Sequence, residues 1–184
     1  MMSDMDILSQ MIKSTALIQL QYDYAKPMVK LCEQQASDAS VTIRNLPSDA
    51  LVIKVDAFRS PDGVFNCSND ECKRADYAII STEKRCIIYI EMKRTKDGWS
   101  QIVKQLLWAQ CFITYCQEIG KVFWEEKGFL KGYKNRFISI GHTSISKRKT
   151  RITRNAERHD APDKAMKIDW PHNLQFNKLA GLGA

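Results

Sequence analysis

The chain predicts an α/β fold, a mixed central sheet flanked by helices, and three observations carry that prediction. Apolar, β-branched runs recur at 51–58, 74–80 and 86–93, the composition a half- or fully buried strand needs. A long stretch after the third run repeats its apolar residues at helical spacing and is followed by a further strand-like run at 136–142. With 184 residues and 44% hydrophobic content, there is material for one good core but not for two independent ones.

Taken in order, residues 7–36 predict a helical region. Leu17, Leu20, Tyr24, Met28, Leu31 and Cys32 stand at helix-like spacing there, and Pro27 kinks or divides it. The run 51–58 is the first strand, and Ser60-Pro61-Asp62-Gly63 is a strong turn into a short extended piece, 64–66. The runs 74–80 and 86–93 are joined by the short connection 81–85 and predict an antiparallel pair. Asp97-Gly98 opens a helix to Ile119, with Ile102, Leu106, Ala109, Ile113 and Cys116 as its core stripe and Gly120 as its C-cap. The order is α-β-β-β-α-β, and the remainder, 155–184, reads as irregular or weakly helical, anchored by Trp170 and Phe176.

The chemistry concentrates on the antiparallel pair. Cys86-Ile87-Ile88-Tyr89-Ile90-Glu91-Met92-Lys93 stays apolar until its end and then acquires two opposite charges. Strand alternation puts Glu91 and Lys93 on one face, and antiparallel pairing brings Asp76 beside them. Adjacent carboxylates repel unless they share a cation, and hard oxygen donors suit Mg²⁺ or Mn²⁺. Such an ion activates water and polarises phosphate, while Lys93 supplies a point cation to developing negative charge. Glu-x-Lys also occurs at 71–73 and 125–127. The 91–93 copy is set apart by its strand end, its acidic neighbour strand and the helix that follows.

This arrangement over about residues 15–142 resembles the PD-(D/E)xK nuclease superfamily, the restriction-endonuclease-like fold. The resemblance implies an αβββαβ core and a Mg²⁺-dependent (or Mn²⁺-dependent) nuclease hydrolysing phosphodiester bonds, with DNA expected ahead of RNA. Carried over, Asp76 and Glu91 are metal ligands, the Met92 backbone carbonyl joins them, Lys93 is catalytic, and Glu33 is the first-helix acid. Glutamine on the following helix is frequent in branches of the superfamily, which makes Gln105, with Gln101 one turn earlier, a further candidate. A RecB-like branch would place tyrosine four residues after its glutamine, where this chain has Ala109. Cutting both strands of a duplex implies a homodimer or a partner subunit, since one site cuts one strand.

The net charge of +7 belongs to the last third of the chain. Lys147, Arg148, Lys149, Arg151, Arg154 and Arg158 form its densest part, expected to contact nucleic-acid phosphates. On this basis 1–146 is the core domain and 147–184 a basic extension packed on it or trailing from it. Two other functions fit the same features: a non-catalytic nucleic-acid-binding subunit on the same fold, or a protein-interaction module with a basic face. The six cysteines make no C-x-x-C pair and are not grouped with the three histidines, so reduced thiols are expected, with Cys67 and Cys72 the one candidate metal or redox pair. The acidic N-terminus is unlike a signal peptide and no run is long enough to span a bilayer, which predicts a cytoplasmic protein without a membrane partner.

Overall fold

The computed structural model of the chain describes residues 2–33, 40–93, 98–141, 158–170 and 173–182. It is built around β7 (Cys86–Lys93), whose residues are buried up to Met92, with only Lys93 partly open. A strand covered on both faces must be apolar almost throughout, and this one is until Glu91. On one side β7 pairs antiparallel with β6 (Tyr77–Ser81), which pairs antiparallel with β5 (Leu51–Lys54). On the other side β8 (Lys134–Gly141) and then β9 (Met166–Asp169) run parallel to it. The short β1 (Leu17–Ile18) completes this six-stranded sheet beyond β5.

Helices α1 (Asp4–Met11) and α2 (Trp99–Phe123) cover one face. Ile7 and Leu8 of α1 and Ile102, Leu106, Ala109 and Ile113 of α2 bury against Ile53, Ala78, Ile80, Ile87, Tyr89 and Phe137. The α2 stripe is the one the sequence predicts. Gly120, expected as the C-cap, is instead inside the helix, because the Phe129 ring packs so closely that a Cβ there would lie 2.3 Å from it.

The opposite face carries a second sheet of four strands, ordered β10-β4-β3-β2: β2 (Gln21–Asp23), β3 (Lys26–Cys32), β4 (Ser40–Arg44) and β10 (Asn173–Gln175). Its Val29, Leu31, Val41 and Ile43, with Phe176 and Leu179 of α3 (Phe176–Ala180), pack on Ile79, Ile88, Ile90 and Ile138. The protein is thus a mixed α/β structure of two mixed sheets and few helices.

This layer corrects the sequence reading. The helical region over 7–36 is a helix only to Met11, and Leu17, Met28, Leu31 and Cys32 lie in strands. The physical reason is a period of two hidden in the sequence, with Val29 and Leu31 buried while Lys30 and Cys32 face outward. The hairpin between β2 and β3 turns on Tyr24 and Ala25, both at positive φ (46° and 63°), without the Asn-Gly or Asp-Gly that marks such turns. Residues 64–66 form no strand, and the first run ends at Lys54, where Val55–Ala57 turns into 3-10 helix. The C-terminal region is not irregular, since β9 joins the main sheet and β10 the second. Trp170 and Phe176 do pack into the core between the sheets.

Candidate active site

Asp76 stands one residue before β6, whose first residue, Tyr77, is paired with Ile90. It is therefore level with Glu91 and on the same face. Its backbone is pinned by a bond from the Val55 amide to its carbonyl at 2.9 Å. Its carboxylate accepts the Met92 N–H at 2.6 Å. Glu91 is 0% exposed, and its Oε1 lies 3.2 Å from Lys93 Nζ. Asp76, Met92 and Lys93 line an open cavity of 270 Å³, joined by Glu33, Asp56 and Gln105.

Glu33 reaches the cavity from the end of β3, not from a helix. Tyr77 sets that end: its side chain points to the inter-sheet core, and its hydroxyl accepts the Cys32 N–H at 3.3 Å and donates to the Cys32 carbonyl. Asp56 was not anticipated from the sequence. It sits in the 3-10 turn after β5, at the end of an apolar β-branched run, which is the same signal that singles out Glu91. Gln105 donates its amide to the Arg74 carbonyl at 3.2 Å, tying α2 to the segment that leads into Asp76. Gln101 is exposed on the helix surface.

The electrostatics of the cluster are those of carboxylates short of a cation. Burial pushes the Asp76 carboxyl up to about 7, against the lowering pull of the Met92 N–H, and Asp56 and Glu33 add to the rise while Lys93 opposes it. Burial, then the neighbouring Asp76, hold Glu91 well above the ordinary carboxylate range despite Lys93. Burial also raises Asp56, with Lys54 and Arg74 counteracting. Glu33 Oε2, Asp56 Oδ1 and Glu91 Oε2 are buried without a hydrogen-bond partner, a costly condition for acceptor oxygens. Among the described residues, however, no three His, Cys, Asp or Glu side chains are already drawn into a metal-holding group. The donor set and its unmet oxygens fit a hard divalent ion, and the side chains stand around the space rather than closed on it.

The loop before Asp76 is stapled by a Cys67–Cys72 disulfide, so the reduced state expected for all six cysteines holds only for Cys32, Cys86, Cys111 and Cys116. The turn through Cys67 and Asp70, both at positive φ, brings the two Cα atoms within 5.3 Å, inside bridging range. Asp70 of this loop pairs with Lys73 at 2.9 Å and with Lys104 of α2 at 2.7 Å.

Of the six basic residues expected to grip phosphates, Lys147, Arg148, Lys149, Arg151 and Arg154 lie outside the described residues, as does His142. Arg158 is described, and its carbonyl accepts from the Arg136 guanidinium.

No known protein family, curated protein or solved structure matches this chain. Among the described residues, no helix is long and apolar enough to cross a membrane.

Proposed function

We propose that the protein is a Mg²⁺-dependent nuclease on a restriction-endonuclease-like core, acting on DNA ahead of RNA. The observation that carries this reading is the convergence of three carboxylates, Glu33, Asp56 and Asp76, on one cavity with Lys93, with the buried Glu91 paired to that lysine behind it. Three oxygens of these four acids are buried and unpartnered. A purely structural ion pair would leave no such surplus of acceptors. The order β5, β6, β7, α2, β8 supports this reading, while the helix ahead of it is α1 and not one that carries Glu33.

In this reading Asp76 and Glu91 would hold the ion, with Glu33 or Asp56 completing its shell and the Met92 carbonyl available beside them. The ion when bound supplies Lewis acidity and an activated water. Lys93 faces the cavity as a cation positioned by Glu91, where it attracts the phosphate and offsets charge developing on it. Met92 fixes one Asp76 oxygen through its N–H and leaves the other for a ligand. Gln105 and Tyr77 act as positioning residues: the first secures the backbone before Asp76, the second the backbone before Glu33.

The 3.2 Å Lys93–Glu91 pair favours a second reading, a nucleic-acid-binding subunit in which the two charges neutralise each other and no ion enters. One experiment separates the two. The purified protein is expected to nick or degrade DNA with Mg²⁺ or Mn²⁺, to stop with EDTA, and to lose cleavage but not DNA binding on Asp76→Ala, Glu91→Ala or Lys93→Ala. Retained cutting by Lys93→Ala would assign the activity elsewhere, and binding without cutting by the parent would establish the second reading.

A further inference from the structure

A second cavity, of 970 Å³, opens on the α2 side of the main sheet beside β9, lined by Trp99, Arg158, Lys164 and Lys167 with the acids Asp160 and Asp163. Its place relative to the carboxylates is fixed by strand register. Glu91 on β7 is paired with Ser139 on β8, and Ser139 with Lys167 on β9. Met166 and Ile168 pack into the inter-sheet core, so Lys167 points to the α2 face, as Glu91 does. Two strand spacings of about 4.8 Å put the two Cα positions roughly 10 Å apart. A nucleic-acid strand covers that distance within about three nucleotides at a duplex rise of about 3.4 Å each.

The chemistry of the lining suits such a strand. Lys167 Nζ lies 3.7 Å above the ring of Trp99, the first residue of α2, which joins a cation to an aromatic surface in one unit. Trp99 is only partly buried. Lys164 and Arg158 add two further cations. Of the two acids, Asp160 lies in the field of Arg136, whose guanidinium donates to the Leu179 and Arg158 carbonyls. Asp163 stays in the first turn of the 3-10 segment Pro162–Lys164. Cations beside a partly open aromatic are what a groove for single-stranded nucleic acid uses, the cations for phosphates and the ring for a base.

We propose that this cavity is the track for the substrate strand, holding the backbone within about three nucleotides of the phosphate at the carboxylate cluster through Lys164, Lys167 and Arg158, with Trp99 stacking on a base. The position of the cut phosphate rests on the nuclease reading, but the binding does not.

The test measures binding of a labelled single-stranded DNA oligonucleotide in EDTA across a salt series, with cleavage in Mg²⁺ scored in parallel. Lys164→Gln combined with Lys167→Gln should weaken binding and reduce the log K against log salt slope by about 1.4, at roughly 0.7 per phosphate contact. Trp99→Leu should weaken binding roughly five- to hundredfold with little change of slope, and Trp99→Phe should restore most of it. Lys84→Gln, in the β6–β7 turn, is the surface control and should leave binding unchanged. Variants that melt like the parent yet bind with its affinity and slope would overturn the proposal, as would a parent that binds no oligonucleotide. Loss of binding in the variants of a parent that never cuts would uphold the track and reject the nuclease. Cutting by a parent whose track variants bind normally would do the reverse.

Discussion

Asp76 carries part of the pH dependence of the free protein, in the same direction as the raised Glu91 and Asp56. Its folded carboxyl titrates near 7, above its value of about 3.9 in the unfolded chain. Between these values the folded state holds the extra proton, so stability present at low pH is lost as pH rises from about 4 to about 7. The loss is on the order of 2–4 kcal/mol. Urea denaturation in EDTA should show the midpoint falling over that window, and Asp76→Asn should make the fall smaller, with Glu91 and Asp56 supplying what remains. Mg²⁺ should restore stability at pH 8 in the parent and not in Asp76→Asn. An unchanged midpoint between pH 4.5 and 8 would contradict the desolvation argument. Glu91→Gln removes a buried charge and keeps the shape, so it is expected to melt at or above the parent's temperature without metal while cleaving nothing.

At the scale of elements, the close contact between α2 and the loop after it is set by Gly120. A methyl group placed 2.3 Å from the Phe129 ring forces repacking of a fully buried side chain. Gly120→Ala should therefore cost about 1–3 kcal/mol in a denaturant titration, although alanine is the better helix former. A neutral result would mean that Phe129 moves freely. The elements also show what could be read in advance. β7 and the α2 stripe were legible because their periodicity is uninterrupted. The strand β3 was not, because Met28 blurs its alternation and Tyr24-Ala25 conceals its turn. Glu33, expected on a helix, therefore arrives at the carboxylates from the end of β3. Asp56 was missed because a 3-10 turn, not a strand, aims it there. The disulfide followed from loop geometry that spacing alone does not reveal.

For the whole molecule, the concentration of positive charge predicts salt-sensitive binding to duplex DNA. If Lys147, Arg148, Lys149, Arg151, Arg154 and Arg158 all neutralise phosphates, log K should fall with log salt at a slope of about −5. Replacing three of them with Gln should roughly halve that slope and weaken all sequences alike. A slope unmoved by the triple substitution would assign the segment to solvation or to docking another protein.

The second sheet joins partners that lie far apart along the chain. Leu174 of β10 lies beside Ile43 of β4, and Asn173 and Gln175 bond the side chains of Arg44 and Asn45. A ribosome adding roughly 5–20 residues per second makes the early partner wait on the order of ten seconds for the late one. During that interval β4 has an open edge, a template for pairing with a neighbouring nascent chain. The newborn polypeptide should accordingly stay protease-sensitive until β10 has emerged, and a chain released at residue 146 should aggregate. Glu33, carried at the end of the strand beside β4, is then held at the carboxylate cluster only once β10 has paired.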